Sequence, residues 1–167
     1  YKGYRYLVEA ARYLTDDYVV LIGGTGELHD ELQSLIQRWH VTDRVQLLGR
    51  VSDHDLPAYY GMCDLFCLSS VQKTEAFGIV QIEAMSCGKP IVATRIPQSG
   101  VAWVNSDGES GLNVEPCDAR ALAHAIMTVC SDDALYQRLS NGARERFDKI
   151  FTYDKMIDNT LTIYNQL

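Results

Sequence analysis

Ile79-Val80-Gln81-Ile82-Glu83-Ala84-Met85-Ser86-Cys87-Gly88-Lys89-Pro90-Ile91-Val92-Ala93-Thr94 holds a helix, a stop and a strand. Gly78 opens the segment. Ile79 to Cys87 reads as a buried helix, because Ile79, Val80, Ile82, Ala84 and Met85 leave almost no polar face. Gly88-Lys89-Pro90 is a Gly-then-Pro ending. Pro90–Thr94 is a short, apolar, β-branched run of the kind that parallel strands buried on both faces display. Upstream, Asp64–Leu68 is a second such run, joined to the helix by a polar loop containing Ser69, Ser70, Gln72, Lys73 and Thr74.

The same alternation extends outward. Tyr18–Ile22 and Arg44–Leu48 read as two further buried strands, separated by the amphipathic stripe Leu28, Leu32, Leu35, Ile36 and Trp39. Ser52-Asp53-His54-Asp55 has the spacing of a helix capping box before Leu56, Tyr59 and Tyr60. Residues 96–116 are irregular, rich in Gly and Pro, with one short strand near Leu112–Val114. Asp118 is an expected N-cap for a helix bearing Ala121, Leu122, Ala125, Ile126 and Val129 on one face. A second helix follows from Ser131 to about Phe147, and residues 152–167 form a terminal one with Tyr153, Met156, Ile157, Thr160, Leu161 and Tyr164 on its apolar side. Strands alternating with helices predict an α/β fold, a parallel sheet flanked by helices on both faces. Ligands of such sheets sit at the carboxyl ends of the strands. The loops Gly23–Glu27, Gly49–Asp55, Ser69–Gly78 and Thr94–Gly100 should therefore converge on one crevice.

Bulk properties exclude some functions. The chain has 167 residues, 47% hydrophobic and 22% charged, with a formal net charge of −7. That is an ordinary globular composition, long enough for a real core, and its acidity argues against a nucleic-acid partner. No apolar run approaches the length of a membrane span. The five cysteines form no CxxC pair and read as reduced, structural thiols, which points to the cytoplasm. The histidines have no metal-ligand spacing, so no metal site is expected.

Two carboxylates carry the chemistry. Glu83 falls inside the apolar helix, where an ionised group costs several kcal/mol unless donors meet it, about the cost of an unpaired buried charge. Glu75 lies in the loop before Phe77-Gly78-Ile79-Val80. Free N–H groups at that helix N-terminus suit a diphosphate, and Glu75 would have to reach past it to sugar hydroxyls. Glu83 would fit the vicinal hydroxyls of a ribose, through strong O–H···O⁻ bonds. On residues alone the alternative stands open: Glu75 as a solvated loop charge, and Glu83 paired with Lys2, Arg95 or another cation. The glycine-rich loop Gly23-Gly24-Thr25-Gly26-Glu27 follows a strand and either approaches a ligand or simply turns the chain. The dinucleotide fingerprint would want a third glycine where His29 stands.

With these residues in view, the chain resembles the C-terminal, donor-binding half of family 4 retaining glycosyltransferases of the GT-B fold. The resemblance is carried by the E-x7-E motif, Glu75 to Glu83, with its internal Ala76-Phe77-Gly78. Lys2-Gly3, the Gly23–Glu27 loop, Leu48-Gly49-Arg50-Val51, Glu83–Thr94 and Gly108-x-x-Gly111-Leu112 extend it along the whole chain. It implies one Rossmann-like nucleotide-sugar-binding domain over residues 1–167, a fragment lacking its first strand and an N-terminal acceptor domain. It implies Glu75 and Lys2 as catalytic residues, Glu75 on donor-sugar hydroxyls and Lys2 on the diphosphate. Gly24, Gly26, Arg50, Val51, Phe77, Gly78, Ile79, Val80 and Glu83 would bind the donor, with backbone near Arg50 and Val51 meeting the base.

The implied activity is hexosyl transfer, with mannose-type donors as one option, from a nucleotide diphosphate sugar to a glycan or lipid-linked acceptor. No cofactor and no obligatory metal are implied. The fragment alone is expected to be inactive and open to self-association. The implied location is cytoplasmic, with the inner membrane face as an option for the intact protein. Rival readings are a GT-B nucleotide-sugar epimerase and a dinucleotide-binding dehydrogenase domain. A surplus of buried acid–base residues would favour the first, and a third glycine with an acidic end to the second strand the second.

Overall fold

The computed structural model describes residues 1–166. Its elements run α1 (Tyr4–Ala10), β1 (Val20–Gly23), α2 (His29–Arg38), β2 (Val45–Gly49), α3 (Leu56–Met62), β3 (Phe66–Leu68), α4 (Ile79–Ser86) and β4 (Ile91–Thr94). They continue with α5 (Val101–Val104), β5 (Gly111–Val114), α6 (Ala119–Ser131), α7 (Asp133–Arg146), a π-helical turn (Phe147–Phe151) and α8 (Tyr153–Tyr164). Every expected strand is present, starting one or two residues after its apolar run, or one residue before it at β5. The expected α/β class and the parallel pairing both hold.

The side chains of β4 show why the sheet is covered on both faces. Successive strand residues point to opposite sides. Val92 joins the apolar cluster formed with α1, α2 and α6, whereas Ile91 and Ala93 join the one formed with α4, α5 and Ala143 of α7. All three are fully buried. The helices are set by stripes and caps: Leu32, Leu35 and Ile36 on α2, and Leu122, Ala125, Ile126 and Val129 on α6. Asp118 Oδ1 accepts from Ala121 N at 2.8 Å, and Asp132 Oδ1 from Leu135 N at 3.0 Å.

The strands depart from a single continuous sheet. β1 pairs only with β2, and β3, β4 and β5 form a separate sheet, among the described residues. An open cavity of about 1900 Å³ lies between them, lined by residues of β1 and β3 together with Lys2 and Tyr4. Among the described residues, the edges of β1 and β3 that face this cavity have no hydrogen-bonded neighbouring strand. The expected terminal helix forms as α8, with Leu167 outside the described residues, but none of its residues is buried. Tyr153, Met156, Leu161, Ile163 and Tyr164 are exposed.

Candidate functional site

Lys2 reaches the ends of the strands because Gly3 lets the chain press against β3. Gly3 has φ 68°, and a Cβ there would lie 2.0 Å from the carbonyl oxygen of Ser69. No other residue fits that contact. Ser69 Oγ donates to the carbonyl of Lys2 at 3.0 Å and Val71 N to that of Tyr1 at 2.8 Å, so residues 1–3 are tied to the loop after β3.

Lys2 Nζ donates to Glu75 Oε2 at 2.6 Å, and Ser70 Oγ to the same oxygen at 2.9 Å. Burial pulls the Lys2 ammonium down. The hydrogen bond and charge of Glu75, with a contribution from Tyr1, outweigh it and leave the Lys2 pKa above the ordinary 10.5. Glu75 is only 9% exposed. The solvated-loop alternative for Glu75 is therefore not what forms. The loop around it is held from behind, with Ser99 Oγ donating to Glu75 O at 2.5 Å and Gly100 N to Ala76 O at 2.7 Å.

Gly78 caps α4 with φ 73°, a left-handed setting that a Cβ would spoil by lying 2.8 Å from both Gln81 Nε2 and Leu68 Cδ2. Among the described residues the N–H groups of Phe77, Gly78, Ile79 and Val80 donate to no protein acceptor. They are the orphan donors of a helix start. Lys2, Glu75, Ala76, Phe77, Gly78, Ile79 and Val80 together line a recess of about 320 Å³. It unites one cation, one carboxylate and a row of unpaired amides, the equipment for an anion beside a hydroxyl-bearing group.

The other expected residues are distributed unevenly. Gly24, Arg50 and Val51 line the larger cavity, which Lys2 and Val80 share with the recess. Gly26 and Glu83 line neither. Glu83 is half-buried rather than fully desolvated, and its partner is not a cation: Tyr60 Oη donates to Glu83 Oε2 at 2.8 Å. Arg95 instead pairs with Asp107 at 3.3 Å.

The fully buried polar residue of α4 is Gln81, at 0% exposure, while Ile79 is 66% exposed. Gln81 Nε2 donates to the carbonyls of Phe77 at 3.2 Å and Val101 at 3.4 Å, bracing the loop under the recess. Gln81, Ser99, Ser70 and Tyr60 escape the sequence reading as supports. Only Gln81 carried a signal comparable to that of Glu83, a polar residue within an apolar run.

Comparison with known proteins agrees with this geometry. The family model described as "Glycosyl transferases group 1" matches residues 1–146. O-antigen chain mannosyltransferase C of Escherichia coli is 30% identical over 100% of this chain and 44% of its own length. The lipopolysaccharide core biosynthesis glycosyltransferase LpsE of Rhizobium meliloti is 33% identical over 97% of this chain and 46% of its own. Among solved structures, HepE of Anabaena in complex with UDP superimposes with a TM-score of 0.90 at 26% identity, covering 99% of this chain and 46% of that one. The chain thus spans less than half the length of these relatives. The likeness bears out a Rossmann-like domain of the kind that forms the C-terminal half of a GT-B fold.

Proposed function

We propose, from the premise that the chain belongs to the glycosyl transferases group 1 family, that it is the donor-binding half of a retaining, family 4 hexosyltransferase. The observation that carries this reading is the recess where Lys2, Glu75 and the free amides of Phe77–Val80 meet. The amides and the positive end of α4 bind the diphosphate of a nucleotide sugar, and Lys2 adds a full charge. Glu75 takes hydroxyls of the transferred sugar, Glu83 the ribose, and backbone at Arg50 and Val51 the base. Developing charge on the departing diphosphate is met by fixed donors already in place, which favours the transition state over the ground state. No obligatory metal enters this scheme. The acceptor hydroxyl attacks on the face from which the diphosphate departs, so the anomeric configuration is retained.

HepE's complex with UDP and the mannosyltransferase name of the Escherichia coli relative support a nucleotide sugar donor, with mannose-type sugars among the candidates. A glycan or lipid-linked acceptor belongs in this scheme to a second domain, outside residues 1–167. The same reading has a further parallel strand, also outside these residues, fill the gap between β1 and β3. Residues 1–167 are then expected to bind donor without turning it over, in a cytoplasmic protein that can work at the inner membrane face.

Calorimetric titration with uridine and guanosine diphosphate sugars tests the reading. Binding that weakens in Lys2→Met and Glu75→Gln supports it. Binding of NAD, with neither diphosphate sugar bound, overturns it in favour of a dinucleotide domain.

A further inference from the structure

Tyr60 stands at the junction of two parts of the site. It lies in α3, the helix linking the Gly49–Val51 end of β2 to β3, and it lines the large cavity along with Lys2, Arg50 and Val51. Its side chain has little freedom. The residue is 8% exposed, and its ring meets Phe66 of β3 edge-on, with centroids 5.8 Å apart and planes at 64°. From this fixed setting the hydroxyl donates to Glu83 Oε2 at 2.8 Å, the one side-chain hydrogen bond that Glu83 makes among the described residues.

The chemistry of the donor matters. A carboxylate offers about four lone-pair sites on its two oxygens. An arginine would take both oxygens in a forked contact, and an ammonium would neutralise the charge. A phenol takes one site and leaves the charge intact. Burial, then the hydrogen bond and charge of Glu83, raise the Tyr60 phenol well above its ordinary value, so it remains an O–H donor. Glu83 Oε1 is left without a protein partner among the described residues.

We propose that Tyr60 is the positioning residue for Glu83, anchoring Oε2 so that Oε1 is presented, fixed and still charged, to the vicinal ribose hydroxyls of a nucleoside diphosphate. This rests on the assignment of Glu83 to the ribose given above. A carboxylate held in one rotamer loses less freedom on binding than one that must be ordered by the ligand. Ordering one such side chain corresponds to about a three- to tenfold difference in affinity.

The test compares uridine and guanosine diphosphates with their 2′,3′-dideoxy counterparts by calorimetry, on the wild-type chain, Tyr60→Phe, Glu83→Gln and the double variant. Thermal unfolding of each variant checks that Tyr60→Phe, which keeps the ring, is folded. The expected result is that the wild type prefers the ribose form of the diphosphate it binds, and that Tyr60→Phe loses about three- to tenfold of that preference. Affinity for the dideoxy form stays unchanged, and Tyr60→Phe has no further effect in the Glu83→Gln background. A merely structural hydroxyl would weaken both ligands alike. If the wild type prefers ribose and Tyr60→Phe keeps the full preference, the positioning role is overturned and the ribose assignment survives. If the wild type shows no ribose preference, the assignment itself falls and takes this proposal with it.

Discussion

Lys2 Nζ and Glu75 Oε2 lie 2.6 Å apart across 73 positions of sequence, inside the recess that both residues line. The proposed donor site is therefore neutralised by its own side chains, and a diphosphate would have to draw Lys2 away from Glu75. Lys2→Met leaves Glu75 largely buried with only the Ser70 hydroxyl. The expected loss of stability is about 1–3 kcal/mol, less than for a fully buried pair because Lys2 is partly exposed. Adding Glu75→Gln should recover part of it. Urea denaturation of the two single variants and the double variant measures the coupling.

The pair also has a pH signature. The Lys2 pKa is raised above its ordinary 10.5 in the folded chain. The unfolded chain therefore releases this proton first as pH rises. The contribution of Lys2 is complete below about 10.5 and declines as the pH passes through the higher folded value. The stability difference between wild type and Lys2→Met should be flat from pH 7 to 9.5 and shrink above it. A difference that instead vanishes near neutral pH would show that Lys2 does not hold Glu75 in solution.

What could be read in the sequence follows from the range of the forces involved. The strands were legible as apolar runs because β3 and β4 are covered on both sides, as at Ile91, Val92 and Ala93. Asp118 was legible because its bond to Ala121 spans three residues. The desolvated setting expected for Glu83 belongs instead to Gln81, while Glu83 is half-buried. α4 is apolar nearly all round, so its pattern could not say that Gln81 faces inward and Ile79 outward. That choice belongs to Leu68 and Val101, which share one apolar cluster with Ala84 and Met85, and to the Val101 carbonyl that takes Gln81 Nε2, all distant in sequence. The contacts Lys2–Glu75 and Tyr60–Glu83 are likewise products of topology, invisible to any local periodicity.

Gly78→Ala should damage stability and binding together. The left-handed φ of 73° and the approaches of 2.8 Å to Gln81 Nε2 and Leu68 Cδ2 both resist a Cβ. The expected cost is about 2–3 kcal/mol, from backbone strain plus overpacking. Relief would come by moving the Phe77–Val80 amides, so nucleoside diphosphate affinity should drop at temperatures where the variant is still folded. Melting and titration on the same sample check this.

Asp118→Ala is the matching control, far from the recess in its chemistry. It removes the side-chain acceptor for Ala121 N at the start of α6. A lost N-cap costs about 1 kcal/mol. Stability should fall by that amount with nucleotide affinity unchanged. A parallel loss of binding would mean that α6 and the recess are coupled, and would remove the specificity claimed for the Gly78 result.

The gap between β1 and β3 makes a prediction about individual amides. Val20 N donates to Arg44 O and Gly24 N to Gly49 O, both toward β2, while Phe66 N donates to Pro90 O toward β4. Alternate residues of a strand aim their N–H groups to opposite edges. The amides of Leu21 and Cys67 therefore face the cavity. In residues 1–167 these two should exchange hydrogen much faster than those of Ile22 and Leu68 in the same strands. In a longer chain whose extra strand occupies the gap, as the proposed function has it, Leu21 and Cys67 should become as protected as their neighbours. Equal, slow exchange already present in residues 1–167 would mean that the two sheets close on each other in solution, leaving no room for a strand.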